Sequence, residues 1–281
     1  MRLIIHHQTI YRYPRPVANS VNEAWLRPLT DERQACLSFR LTTAPRSEPR
    51  PYNDYFGNTV YHFDVQEPHT QLAIVADAEV LTEPFDAAAA LQADPSPYQP
   101  LSPIDYDRWL DFLASTPLTS AGADTRALAD ALAERRSTAA GLLHALADQV
   151  HARLRYEPGS TSVTTTAEEA LAAGAGVCQD YTHLFLAACR CLGIPGRYVS
   201  GYLCTGAGPD QSQASHAWPE ALLPRAGWIG FDATNGRLAD ERYVRVAIGR
   251  DYSDVPPVRG AYSGPAGGEP NVAVSVQSDQ Q

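Results

Sequence analysis

The sequence predicts a β-rich unit followed by a helical unit whose chain later returns to strands. Three observations carry this reading. β-Branched and aromatic residues alternate with period two through residues 1–85. Leucines at helical spacing follow from about residue 109 onward, and strand-like segments resume after a Gly-Ile-Pro-Gly breaker at residues 193–196. A chain of 281 residues suits one large domain or two modest ones.

In the first unit, residues 1–85, Ile5, His7, Thr9 and Tyr11 alternate with Ile4, His6, Gln8 and Ile10. Later runs around AWLRP, ACLSFRLTT, NTVYHFDV and QLAIVADAEVLTE read as further short strands, with turn chemistry at Asn53-Asp54 and Phe56-Gly57-Asn58. Such strands predict a small antiparallel β-sandwich or barrel. A connecting segment, 86–125, follows, rich at first in Ala, Pro, Asp and Ser, with Trp109, Leu110 and Phe112 opening a short helix. The remainder, 126–281, starts with a helix over Thr125–Arg136 and another, capped by Ser137, running through Leu142, Leu146 and Leu154. Thr166 and Glu169 have capping-box spacing. A Gly-Ala-Gly loop leads into the helical run CQDYTHLFLAACRCL, then come the strand-like RYVSGYL, SHAWPEALL and GWIGFDAT, and near the end NVAVSVQ.

Charge and composition exclude several classes. A formal charge of -10 argues against nucleic-acid binding, which needs clustered Lys and Arg. No apolar run is long enough to span a bilayer, and the N-terminus lacks a signal-peptide core, so a cytoplasmic protein with no membrane partner is expected. Five scattered cysteines are an odd number and not a disulfide framework. Cys189-x-Cys191 has the wrong gap for a zinc hook; neither metal nor cofactor is expected.

Cys178 follows the Gly-containing loop at the head of a helix, where unsatisfied N–H groups and the helix dipole favour a thiolate and can receive an oxyanion. A lone helix cysteine is more often simply buried; its partners decide. Folding SHAWPEALL and GWIGFDAT into a hairpin around Leu223-Pro224-Arg225 sets Glu220 opposite Trp228, Trp218 opposite Gly230 and His216 opposite Asp232. Opposed Cβ atoms lie about 4.5–5.5 Å apart, close enough for an imidazole–carboxylate bond. A slip of one residue would destroy that arrangement. Such a pair is what a cysteine nucleophile requires: the imidazole takes and returns the proton, and the carboxylate fixes its orientation. Trp218 and Trp228 flank this site as possible walls of an apolar cleft, or as plain core. His183 lies off the Cys178 face of its helix and reads as a core residue; Asp180 reads as an N-terminal charge matched to the dipole. His144 and His151 have no implied carboxylate partner, and His6, His7, His62 and His69 belong to the β-rich unit.

The strings GAGVCQDYTHLFLAACRCLGIPGRYVSGYL and SHAWPEALLPRAGWIGFDATNG resemble the bacterial transglutaminase-like superfamily. The opening RLIIHHQTIYRY resembles the N-terminal region often fused to that core, and GRDYSDVPPVRG with NVAVSVQ resembles its C-terminal part. The resemblance implies an α+β fold with a papain-like core, a helix bearing the cysteine packed on an antiparallel sheet bearing His and Asp. It places the family triad on Cys178, His216 and Asp232. It also implies a second oxyanion donor, for which Tyr156 in RLRYEPGST is the candidate. The family usually has proline after the triad Asp; here Ala233 stands there. The function implied is cysteine-dependent acyl transfer on peptide or carboxamide bonds through a thioester, resolved by water or by an amine, with a peptide or protein as partner. The alternative is a catalytically silent peptide-binding module that kept the fold.

Overall fold

The structure, a computed structural model, describes residues 1–99, 103–134, 138–205, 215–265, 267 and 269–278. Its first strand, β1 (Arg2–Ala24), is far longer than the sequence pattern implies. Pro14 and Pro16, which would end an ordinary strand, fall where β1 leaves one set of partners for another, so the N–H groups they lack are not missed. Residues 2–12 pair with β5 (His69–Thr82) on one side and with β14 (Glu269–Ser278) on the other. Residues 18–24 pair with β4 (Thr59–Val65) and β13 (Val258–Ser263). With β2 (Gln34–Ala44) beyond β5 and β3 (Arg50–Asn53) beyond β4, the unit is one seven-stranded antiparallel system.

Two sequence expectations are corrected here. AWLRP does not form a strand of its own: Ala24 ends β1, and Trp25 and Leu26 are buried beyond it. Pro28 cannot donate to a ladder. The terminal NVAVSVQ, grouped by sequence with residues 126–281, is β14 and pairs with β1. Its alternating Val274 and Val276 fill the cluster that holds Leu3 and Ile5, where Tyr202, Val244 and Val246 of the second sheet also pack.

The middle of the chain supplies helices: α1 (Ala87–Gln92), α2 (Pro103–Arg108), α3 (Leu110–Leu113), α4 (Ala123–Ala133) and α5 (Ala139–Arg153). Ser137, expected to cap α5, lies outside the described residues; Thr138 is the cap, its side chain accepting from the Gly141 N–H. After the short β6 (Arg155–Tyr156) comes α6 (Ala167–Ala173), opened by the Thr166–Glu169 capping box that the sequence shows. Then β7 (Ala175–Gly176) pairs in parallel with β6 and leads into α7 (Cys178–Cys191).

The second sheet is antiparallel, in the order β11 (Arg237–Leu238), β10 (Gly227–Asp232), β9 (His216–Leu223), β8 (Gly196–Leu203) and β12 (Tyr243–Gly249). α7 lies across it, buried nearly all round because α4, α5 and α6 cover its other side. Phe185 of α7 stacks on Phe231 of β10 with centroids 5.4 Å apart. The fold is thus α+β. The two sheets are joined by an apolar seam, Leu3, Ile5, Val80 and Val276 against Tyr202, Val244 and Val246. Two buried amides bolt it: Gln34 exchanges hydrogen bonds with the Arg245 backbone, and Asn58 with that of Ile248.

Candidate active site

Cys178 is the first residue of α7. Its N-cap, Val177, has no side-chain oxygen, and Asp180 serves instead: its Oδ2 accepts from the Val177 N–H and from Thr161 Oγ1, both at 2.7 Å. Asp180 is therefore more than a charge on a dipole; it closes the head of the helix, and only glycine fits at 176, where a Cβ would stand 2.7 Å from it. Burial raises the Asp180 pKa, with those hydrogen bonds opposing the shift.

The β9–β10 hairpin differs from the expected one. The observed pairs are Leu223–Gly227, Leu222–Trp228 and Glu220–Gly230, so the loop is Pro224–Ala226. Gly227 has φ 71°, a left-handed conformation that belongs at the end of such a three-residue loop, and this moves the turn along by one residue. The register consequently shifts by two. An even shift keeps every side chain on its face, so His216 and Asp232 become diagonal rather than opposed neighbours and still meet. His216 Nε2 lies 2.8 Å from Asp232 Oδ2. Cys178 acts on the same ring by hydrogen bonding and by charge.

Electrostatics follow from this placement. Burial by itself would lower the His216 pKa; hydrogen bonds and charge from Asp232 and Cys178 override it and raise it to about 10. Burial would raise the Asp232 pKa, but His216, Asn235 and Tyr243 hold it below the usual carboxylate range. Asp232 is 1 % exposed and its Oδ2 takes three donors: His216, Asn235 Nδ2 at 2.6 Å and Tyr243 Oη at 2.7 Å. Asn235 also donates its backbone N–H to Oδ1. Sequence reasoning missed both. Asn235 had a local signal, the D-x-x-N spacing of a turn; Tyr243, brought from β12 on the far edge of the sheet, had none.

Ala233 carries its own explanation. Its N–H donates to Phe231 O at 3.0 Å, a bond that proline could not make, and its carbonyl accepts from His151 Nδ1 at 2.8 Å. His151 thereby supports the corner after Asp232. His183 is fully buried, tilts against Tyr198 and accepts from the Tyr252 N–H, away from Cys178 as its helical offset implies.

The two tryptophans have different surroundings. Trp218 is 1 % exposed and backs the imidazole, its ring stacked 5.9 Å from that of His216. Trp228 points to an aromatic group with Trp109 and Phe112 and carries the Arg197 guanidinium over its face. Side chains on one strand face can belong to different neighbourhoods, because what covers the face changes along it. Tyr156 is exposed and pairs through its backbone with Gly176 across β6–β7; burial followed by the charge of Cys178 raises its phenol pKa. Cys189 is buried and Cys191 exposed on opposite faces of α7; no cluster of metal-ligating side chains occurs among the described residues. Among them, too, no helix is long and apolar enough to cross a membrane.

The buried histidines give a stability prediction. Burial, with the His6 charge, lowers the His7 pKa to about 4; burial, with Arg190 assisting and Asp251 opposing, lowers that of His183 to about 4. The unfolded chain therefore binds protons near pH 6.5 that the folded chain refuses, and stability falls as pH drops through the window from 6.5 to 4, by about 2 kcal/mol for each residue at pH 5. His216 has the opposite sign: its contribution is complete below pH 6.5 and is lost as pH rises through about 10. Urea midpoints should peak near pH 6.5. A midpoint still rising from pH 6.5 to 5 would contradict this.

Comparison with known proteins agrees with the fold. Residues 3–81 match the bacterial transglutaminase-like N-terminal region, and residues 126–233 match the transglutaminase-like superfamily. An uncharacterized protein of Mycobacterium leprae is 35% identical over 279 residues, 98% of each chain. One of Mycobacterium tuberculosis is 35% identical over 277 residues, covering 92% of this chain and 87% of its own. Among solved structures, a candidate cysteine protease from Cytophaga hutchinsonii superposes with a TM-score of 0.81 at 25% identity, over all of this chain and 91% of that one. The chain belongs to the transglutaminase-like superfamily, with the bacterial N-terminal region of that group ahead of its core.

Proposed function

We propose that the chain is a cysteine-dependent acyl-transfer enzyme acting on peptide or carboxamide bonds, with Cys178 as nucleophile, His216 as acid–base and Asp232 orienting it. The observation that carries this is the single imidazole held by a buried carboxylate on one side and within reach of a helix-head sulfur on the other. The sulfur attacks the acyl carbon, its proton resides on the imidazole, and that proton then leaves with the amine as the C–N bond breaks, giving a thioester. Water or a second amine attacks the thioester while His216 takes the incoming proton. Hydrolysis is favoured slightly over amine transfer. The low-density, odd cysteine set fits a reducing compartment, for which we propose the cytoplasm.

The oxyanion of each tetrahedral intermediate is proposed to rest on the Cys178 N–H, free at the first turn of α7, and on Tyr156 Oη. Tyr156→Phe should then lower kcat by about 100-fold with little change in KM. An equal change in both constants, or none, would remove Tyr156 from that role.

The test of the function is incubation with a glutamine-containing peptide library and a primary amine, with products read by mass spectrometry. Cleavage, deamidation and amine incorporation each leave a distinct mass. All 22 basic residues of the chain are arginine, so no lysine of the enzyme competes with the supplied amine. No product of any kind, together with no preferential alkylation of Cys178 by limiting iodoacetamide, would favour the peptide-binding alternative.

A further inference from the structure

A cleft of about 730 Å³ opens between β1, β13 and the turn at Tyr252–Asp254, where Tyr252 packs on the same buried cluster as Cys178. Tyr11, Tyr13, Tyr252 and Tyr262 form much of its wall. It reaches the head of α7 at Val163, whose carbonyl accepts from the side chain of Gln179, the residue after Cys178. Its size is that of a ligand site. No part of the mechanism above uses it.

Asn22 borders this cleft. It is 5 % exposed, and its Nδ2 is buried without a hydrogen-bond partner. Asn22 stands on an inward position of β1, between the buried Ser20 and Ala24, where an aliphatic side chain would pack at no polar penalty. Its neighbour across the ladder is Gly260, where a Cβ would lie 2.3 Å from Asn22 Oδ1. Opposed residues share a face, so the missing side chain at 260 leaves room for the carboxamide at the cleft. A half-turn about χ2, a broad and nearly two-fold torsion, exchanges its donor and acceptor ends. A peptide group, which offers both a carbonyl and an N–H, is its natural complement.

Charge argues against an ionic occupant. Arg259 at the cleft is paired with Glu23 at 2.7 Å and lies over the Trp25 ring. Asp251 has its Oδ1 bound by both donors of Ser253 and lies in the field of the buried Arg190, although its Oδ2 is buried without a hydrogen-bond partner. The rest of the wall is uncharged: phenol faces, aliphatic side chains, the hydroxyls of Thr164 and Ser253, and one amide.

We propose that this cleft receives an apolar side chain of an extended peptide substrate, with the adjoining peptide group hydrogen-bonded to Asn22, so that the N-terminal sheet selects the acyl donor brought to Cys178. The role assigned to the bound peptide rests on the acyl-transfer reading above, but its binding is measurable without turnover.

The experiment uses the full-length Cys178→Ala protein and fluorescein-labelled, capped hexapeptides of glycine and serine. Each carries one glutamine and one Phe, Leu, Ala, Lys or Glu, moved through the other positions in turn, and fluorescence anisotropy reads affinity. The Phe and Leu peptides should bind about tenfold more tightly than the Ala peptide at a preferred spacing. Asn22→Leu in the same background should weaken that binding about tenfold while its Tm equals or exceeds the parent's, because an unpaired buried amide has been removed. Gly260→Ala, which crowds the carboxamide, should weaken it as well. Equal affinity for Phe and Ala at every position, strongest binding by the Lys series, unchanged affinity in Asn22→Leu or a lowered Tm in that variant would each overturn the proposal. Selective binding without turnover by the wild-type protein would instead sink the acyl-transfer reading and leave the cleft as a peptide site.

Discussion

Cys178→Ala is expected to abolish cleavage, deamidation and amine incorporation together, by about 10⁵-fold or more, since all three pass through the same thioester. Fold stability should barely move. The side chain is only partly buried, and the helix head is closed by Asp180 rather than by the thiol. Cys178→Ser, which keeps a polar atom of similar shape, should be nearly as inactive, because His216 does not generate an alkoxide as readily as a thiolate. Mass spectrometry of peptide products, beside a thermal melt of each variant, checks both halves. Near-native turnover by the alanine variant would end the proposed mechanism.

Asp232→Ala is expected to damage both activity and stability. Without the carboxylate, His216 is free to turn and its protonated form loses a partner, for which a kcat loss of about 10⁴-fold is the scale set by comparable triads. The same change strands three donors, His216 Nε2, Asn235 Nδ2 and Tyr243 Oη, of which Tyr243 is buried and His216 largely so, while Asn235 can turn to water. Stability should fall by about 3–5 kcal/mol, the range for breaking a buried ion pair. Asp232→Asn separates the two effects: its amide oxygen can still accept, so stability should recover in part while kcat stays low. Chemical unfolding and steady-state kinetics on both variants give the comparison. Equal stability of Asp232→Ala and the parent would mean that the carboxylate does not hold this corner.

The sequence made the three candidate site residues legible because each sits in a local pattern: a glycine loop before a helix, and two strands flanking a short turn. The hairpin register was misjudged by two residues, since a symmetric loop ignores the left-handed conformation that Gly227 adopts. The pairing of His216 with Asp232 survived because side-chain facing repeats every second residue. Tyr243 was illegible, as nothing in a sequence states which strand a sheet will place at its edge. For the same reason the surroundings of the tryptophans were illegible: alternation reveals a face and not what covers it. The cleft at Asn22 needed contacts between β1 and β13, segments at opposite ends of the described chain.

That distant pairing bears on how the protein is made. Leu3 meets Ser278 and Ala24 meets Val258 on ladders that flank β1. As the polypeptide leaves the ribosome, β1 acquires β4 and β5 soon, yet must hold two open edges until β13 and β14 have been synthesised. Exposed edges of this kind recruit other strands. Late-arriving β13 and β14 therefore act as covers, and nascent chains stalled before residue 258 would be the species most in need of a chaperone.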